Sequence, residues 1–325
     1  MNDQTKRTMF FYGLLATTLL PLFCLPALSA LDFSFDSSFL LGLSIFAGGV
    51  GHVGSTFCVY ADKEIRQVIR PMKVRFYVLP LVALTATGVA LIWGSSFRVT
   101  QGLIAVLFII HLLWLHFHYQ KQNYGLVAFV AAGTGSRVPK NLSPILLLPA
   151  LAGCLAIMSP FVGDATENES LMAPYEAGLG TAARAIYLVG AAVVVGVIYK
   201  HRAIFSIPRI GVMTAAAFLF FLPAITLKDS DFAFWSYALA HGFQYLLMVF
   251  MVAGGATFSP LIIGAFLVSV AGGGYLLHSL VGNQALFICG ILLTWIHFVL
   301  DAKLWRMSEP EIRQLLRQRF GFLFS

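Results

Sequence analysis

Long apolar runs separated by short charged connections constrain this chain more than any other feature. A helix needs roughly 20 apolar residues to cross a bilayer, and such runs recur along most of the 325 residues. Only 11% of the residues are charged, whereas a soluble domain carries about 25%. The pattern excludes a soluble enzyme, a disordered tail and a secreted disulfide scaffold, and it predicts a polytopic membrane protein.

The apolar runs predict an all-α bundle of about ten transmembrane helices in one domain. We expect this domain to occupy 1–307, followed by a surface helix at 308–325. Lys6 and Arg7 precede the first run, which fits a retained membrane anchor better than a cleaved secretory signal. The predicted spans are 9–30, 38–60, 76–94, 103–124, 143–163, 179–199, 210–227, 233–254, 260–281 and 284–303.

The charge of the connections predicts the orientation. Segment 62–75 carries five basic residues, and the next even-numbered connections, 137–140 and 200–209, are also basic. The opposite connections, at 32–36, 164–176 and 229–231, carry the acidic residues. Because basic loops stay in the cytoplasm, we expect both termini there. We also expect the protein to lie in a bacterial inner (plasma) membrane. The same rule accounts for the net charge of +7 without nucleic acid as a partner.

The tail has the sequence pattern of an amphipathic surface helix. Ser308 and Glu311 have the spacing of a capping box. Apolar residues then alternate with arginines through residue 320. This pattern predicts a basic helix that lies on the cytoplasmic surface of the membrane and contacts lipid through its apolar side.

Histidines inside the predicted spans are the candidate functional residues. Seven of the eight histidines fall within spans, where ionisable residues are costly and mark functional sites. His278 lies near the outer end of its span, where we expect only a hydrogen bond near the headgroups. The other six lie at or below the midplane on four helices predicted to run inward: His52, His111, His116, His118, His241 and His297.

Polar residues at helical spacing accompany these histidines. Asp301 lies four residues after His297, so its carboxylate could orient that imidazole. The other predicted outer residues are Gln122, Asn123, Gln244, Tyr245 and Asp62. Pairing of Asp62 with Lys63, or of Asp301 with Lys303, is an equally good interpretation of the two acids.

Imidazoles converging from several helices predict a metal site. Neutral imidazole suits iron, copper and zinc, and an added carboxylate favours iron. Our first expectation is non-haem iron bound by His52, His118, His241 and His297, with His116 and His111 as alternatives. Haem or another transition metal stays open as the cofactor.

The elements Gly51-His52, His116-Phe-His118, His241 and His297…Asp301 resemble those of histidine-rich integral membrane oxygenases. Within this class, the Brp/Blh-type carotene-cleaving group is the nearest in chain length and in the scatter of single histidines. The chain lacks the HxxxH and HxxHH boxes of the desaturases and a Pro-His-Gly element at His52. The resemblance implies oxygen-dependent chemistry on a lipophilic substrate.

Three functions compete at this stage. The first is a membrane metal-dependent oxidoreductase of the oxygenase or desaturase type, whose partners would be membrane lipids, a lipophilic substrate and a redox protein. The second is a haem-binding protein in electron transfer or haem handling, with non-covalent haem because no CxxCH occurs. The third is a proton- or cation-coupled transporter.

Overall fold

The structure is a computed structural model that describes residues 2–31, 50–56, 60, 62–93, 101–164, 169–253 and 283–324. Of these residues, 88% are helical and none lies in a strand, which confirms the all-α prediction. The apolar composition explains this result, because a helix satisfies its own backbone hydrogen bonds wherever water is excluded.

The helices are numbered in chain order, and one π-helical turn, Val74–Val78, leads directly into α4. Their bounds are α1 Asp3–Ala30, α2 Val50–Ser55, α3 Lys63–Ile69, α4 Leu79–Trp93, α5 Gln101–Gly133, α6 Leu142–Asp164, α7 Glu169–Lys200, α8 Arg202–Phe205, α9 Pro208–Leu219, α10 Leu222–Thr226, α11 Ser230–Ala253, α12 Asn283–Leu304, α13 Pro310–Arg319 and α14 Gly321–Phe324.

Three described segments are long and apolar enough to cross a membrane: Asp3–Leu28, Leu142–Ser159 and Pro174–Lys200. Helices also coincide with the predicted spans at 76–94, 103–124, 233–254 and 284–303. Most of 38–60 and all of 260–281, including His278, lie outside the described residues. The count of ten spans and the cytoplasmic position of both termini stay predictions.

One predicted span is two helices rather than one. Segment 210–227 is divided between α9 and α10, with Phe220 and Phe221 completely buried at the break. Pro223 lies in the first turn of α10, where its missing N–H needs no partner. Proline is better accommodated at the start of a helix than in its interior, which fits the position of the break.

The chain folds into two compact units. Unit 1 comprises Met1–Ser34, Gly102–His241 and Phe324, and unit 2 comprises Phe35–Gln101, Gly242–Leu323 and Ser325. In unit 1, α6 and α7 pack against each other, and α10 packs against both. Helix α1 packs against α9, where the Arg209 guanidinium lies over the Phe11 ring.

Gly135 and Gly153 allow two close features of unit 1. Helix α5 ends in a Schellman motif, in which Ser136 N–H donates to the Ala131 carbonyl and Gly135 N–H to the Ala132 carbonyl. Gly135 has a φ of 73°, which favours glycine. In α6, a Cβ on Gly153 would lie 2.8 Å from the Phe221 ring, so glycine permits the two segments to touch.

In unit 2, α12 is the central helix. It packs against α2, α4 and the π-helical turn, while α13 packs against α3. These packing interactions hold the tail helix on the protein itself. Its apolar residues Ile312, Leu315 and Leu316, and Phe320 just after it, are all at most 3% exposed.

The apolar side of α13 is buried, and α13 packs against α3 within unit 2. The position of the tail on the membrane surface stays a prediction. Glu309, not Ser308, occupies the N-cap position of α13, and its side chain makes no capping hydrogen bond. The Ser308 hydroxyl instead accepts a hydrogen bond from the Arg306 Nε at 3.1 Å.

Candidate metal centre

Among the residues that the structure describes, buried histidines and one aspartate form clusters that could hold a metal ion. Five sequence-predicted residues belong to them, and each is buried: His52, His118, His241, His297 and Asp301. His111 is half-buried and His116 is buried, and neither belongs to such a group among the described residues.

Unit 2 brings His52 of α2 against His297 of α12. The ring centroids lie 4.8 Å apart with the rings at 89°, and the two residues offer ligand nitrogens within 4.8 Å of each other. Both side chains are 1% exposed. A ligand nitrogen of His297 also lies within 4.8 Å of an Asp301 carboxylate oxygen. His297 therefore lies close to a second imidazole and to a carboxylate within this unit.

A chain of hydrogen bonds joins His297, Thr56 and Tyr245, and Asp301 lies beside its Tyr245 end. The Nδ1 atom of His297 lies 2.7 Å from the Thr56 Oγ1, which lies 3.0 Å from the Tyr245 hydroxyl. The Asp301 carboxylate lies beside the Tyr245 side chain. The Trp305 indole N–H donates to Asp301 Oδ1 at 2.5 Å.

An ionised Asp301 would set the direction of the neighbouring hydrogen bonds. An ionised carboxylate only accepts, so the Tyr245 hydroxyl would be directed towards it and would accept from Thr56. The Thr56 hydroxyl would then accept from the Nδ1–H of His297. That arrangement would leave the lone pair of His297 on Nε2, the form that ligates a metal.

Tyr245 also packs against the two imidazoles. Its ring centroid is 4.9 Å from that of His297 and 5.6 Å from that of His52, with both pairs close to perpendicular. Trp305 contacts the Tyr245 ring at 6.1 Å. The aromatic rings thus restrict the orientation of both histidines, while Thr56 contacts the Nδ1 of His297.

Unit 1 holds a second pair, His118 of α5 and His241 of α11. Their ring centroids lie 5.0 Å apart at 76°. The Tyr119 ring lies 4.0 Å from the His241 ring at an interplanar angle of 30°. The Gln122 amide donates to the His241 backbone carbonyl at 3.2 Å, which joins the two helices at this level.

His116 has a structural environment instead. Its Nδ1 lies 2.8 Å from the Leu112 carbonyl, which can only accept, so Nδ1 carries the proton. Its Nε2 therefore accepts from the Tyr237 hydroxyl at 3.0 Å. The ring stacks on Phe221 at 5.3 Å and 25°. Both nitrogens are thus used within unit 1, and His116 is not positioned as a ligand.

The structure gives the remaining predicted residues other partners. The Asn123 amide donates to the Gln120 Oε1, and Gln120 donates in turn to the Ala217 carbonyl. Asp62 caps α3 through Oδ1 and binds Arg319 through Oδ2 at 2.8 Å. Gln244 is buried. Lys303 pairs with Glu309 at 2.6 Å, so the alternative partner considered for Asp301 is engaged elsewhere.

Sequence reasoning missed Thr56, Trp305 and Tyr237. Each lies four residues from a predicted site residue: Thr56 from His52, Trp305 from Asp301, and Tyr237 from His241. Side chains at this spacing share a helix face, so the signal was present. The connection from Thr56 to His297 had no such signal, because 241 residues separate the two.

Comparison with known proteins gives no relative for this chain. No family model matches it, and no characterised protein and no solved structure shows significant similarity to it. The resemblance to the carotene-cleaving oxygenases therefore stays a prediction from short sequence elements.

Proposed function

We propose that this chain is a membrane-embedded metalloenzyme that binds non-haem iron through buried histidines and oxidises a lipophilic substrate. The observation that carries the proposal is the buried His52–His297 pair of unit 2, in which Thr56 contacts the Nδ1 of His297 and Asp301 lies nearby. A hydrogen bond at one ring nitrogen orients a histidine whose other nitrogen ligates a metal. A packing histidine needs only a partner for each nitrogen.

The spacing of both histidine pairs supports metal binding. With metal–nitrogen bonds of roughly 2.0–2.1 Å, two neighbouring imidazoles on one ion place their ring centroids about 4.5–5.2 Å apart. The observed separations are 4.8 Å for His52 and His297 and 5.0 Å for His118 and His241. Edge-to-face ring packing also permits these distances, so the metal content of the protein is the deciding measurement.

The ligand chemistry favours iron over the alternatives. Two imidazoles with one carboxylate form the ligand set of non-haem iron oxygenases. In unit 2, His297 has ligand atoms of His52 and, in a separate group, of Asp301 within 4.8 Å. Iron bound in this way supplies dioxygen activation. Hydroxylation then consumes one dioxygen, two electrons from a redox partner and two protons, and yields the alcohol and water.

The apolar surface of the helices supports a lipophilic substrate and a membrane location. On α7, Leu188 and Val195 are 69% and 64% exposed, and on α4 Leu81 is 66% exposed. Side chains this apolar on an outer surface fit a lipid environment. A substrate dissolved in the bilayer would reach the protein without crossing water. We extend the proposal to ten spans in a bacterial inner membrane, with both termini cytoplasmic.

Metal analysis of the protein purified in mild detergent tests the proposal. After anaerobic incubation with Fe(II) and desalting, we expect bound iron and no Soret band. His297→Gln should lose most of the iron that unit 2 holds. His116→Gln is the matched control, because it makes the same change at an equally buried histidine, and it should retain the iron. His118→Gln and His241→Gln, made separately, measure the iron bound by that second histidine pair in unit 1.

Each outcome decides between the functions. A wild-type protein without iron, or a His297→Gln variant with full iron content, would overturn the metal assignment. A Soret band would replace it with haem binding. The iron-loaded protein is also tested with a chemical reductant and a fatty acid, a carotenoid or a total lipid extract. If it consumes no dioxygen, the metal site stands but the oxygenase function is overturned.

A further inference from the structure

A basic cleft in unit 2 carries an inference that is independent of the histidines. The cleft has a volume of about 640 Å³, and four cationic side chains line it: Lys63, Arg66, Arg70 and Lys73. Residues 63, 66 and 70 have helical spacing and so share one side of α3 and its end. Ile65 and Ile69 on the opposite side are buried, which turns the cations outward.

The cations of this cleft are not neutralised by the protein. Within the described residues, none of the four makes an ion pair with a carboxylate. The acids next to them are engaged by another cation, since Arg319 binds Asp62 at 2.8 Å and Glu64 at 2.7 Å. Because Arg319 of the tail pairs with these two carboxylates, they do not form ion pairs with the four cations of the cleft. Four positive charges are left together beside a cavity.

The adjoining surface indicates where the cleft lies. Gln67, Tyr77 and Val78 complete its lining, and Tyr77 and Val78 are exposed. Exposed apolar side chains continue along the chain from this point: Val74, Val78, Leu79, Leu81 and Val82. A cationic cluster beside a tyrosine and an outward apolar surface is the arrangement expected at the level of lipid headgroups.

We propose that this cleft binds the phosphate-bearing headgroup of an anionic phospholipid. The lysines and arginines contact the phosphate, with arginine offering paired donors. The acyl chains lie along the exposed apolar side chains that begin at Val74. A free phosphate would satisfy the cations but would make no use of this apolar surface. The adjoining apolar surface therefore selects a lipid as the occupant.

Native mass spectrometry of the delipidated, full-length protein in detergent tests the site. Three probes are added separately: phosphatidylglycerol, phosphatidylcholine and inorganic phosphate. We expect one phosphatidylglycerol to bind more tightly than phosphatidylcholine, with weak binding of inorganic phosphate. In the double variant Arg66→Gln/Arg70→Gln, affinity for phosphatidylglycerol should fall roughly 25-fold, since each basic side chain near an anionic lipid contributes about fivefold.

The matched control is Arg137→Gln/Lys140→Gln, which removes two cations from another basic connection. It should leave phosphatidylglycerol binding unchanged, and far-UV circular dichroism checks that both variants are folded. Equal loss in both variants would reduce the effect to net charge and overturn the site. Equal affinity for phosphatidylglycerol and phosphatidylcholine, or for phosphatidylglycerol and inorganic phosphate, would overturn the lipid headgroup as the ligand.

Discussion

His116 in unit 1 and His297 in unit 2 are both 1% exposed, and both lie on apolar helices. His116 gives one nitrogen to a carbonyl of its own helix and the other to a tyrosine. His297 has its Nδ1 at the end of a chain that runs through Thr56 to Tyr245, with the buried Asp301 nearby. Both ring nitrogens of His116 are used in hydrogen bonds between protein groups. At His297, one nitrogen is hydrogen-bonded, and we propose that the other binds a metal.

Burial by itself does not identify a ligand histidine. Buried polar groups are hydrogen-bonded wherever they occur, so a buried imidazole is expected at a packing position and at a metal site alike. What separates the two is the chemistry at the far end of the hydrogen bonds. A carbonyl only fixes a proton position, whereas a carboxylate also stabilises positive charge on the imidazole.

Removing one link of the unit 2 chain should weaken iron binding the most. Thr56→Val keeps the shape of the side chain but breaks the bond to His297 Nδ1, and we expect affinity to fall about 10- to 100-fold. Thr18→Val is the control, because that buried hydroxyl donates within its own helix, to the Leu14 carbonyl. Competition with a chelator measures both. Unchanged affinity in Thr56→Val would mean that the chain does not support a metal ligand.

Adding a methyl group at Gly153 should strain the environment of His116 without affecting unit 2. Its Cβ would lie 2.8 Å from Phe221, the ring on which His116 stacks. Overpacking of this kind costs about 1–3 kcal/mol. We expect a lower thermal midpoint in detergent for Gly153→Ala. Gly196→Ala, where nothing lies within 4 Å, should unfold at the wild-type temperature or above it.

Breaking the His116 hydrogen bond should cost stability alone. Tyr237→Phe leaves the Nε2 of His116 without its donor, at a cost of about 1–2 kcal/mol for a buried acceptor. The thermal midpoint should fall while iron content stays at the wild-type level. Loss of iron from this variant would contradict the prediction, because it would show that His116 supports metal binding as His297 is proposed to do.

The smallest effect concerns the tail and its dependence on pH. The Lys303 ammonium lowers the pKa of Glu309 below its ordinary value. A lowered pKa in the folded state gives stability that is present above the ordinary glutamate pKa and lost as pH falls through the lowered one. Limited proteolysis before α13 should therefore speed up on acidification. In Glu309→Gln the rate should no longer change over that range, whereas an unaltered pH profile would contradict the assignment.

Sequence periodicity predicted the helices well and the side-chain partners poorly. The positions of α5, α6 and α12 follow from apolar runs and local end signals, which the chain carries within a few residues. The break at Phe220 was missed although Pro223 marks it. The candidate residues His52, His241 and His297 were selected because ionisable groups in apolar runs are costly. Which atoms they meet depends on residues far apart in the chain.

The sequence by itself determined that the chain is helical, apolar and equipped with histidines in its helices, since composition and helical spacing are local properties. Only the tertiary structure decided that His116 is bonded to Tyr237, that Thr56 joins His297 to Tyr245, and that Arg319 binds the acids beside the basic cleft. The physical reason is that a hydrogen bond is set by distances of about 3 Å between side chains, and the packing of separate helices alone brings such atoms together.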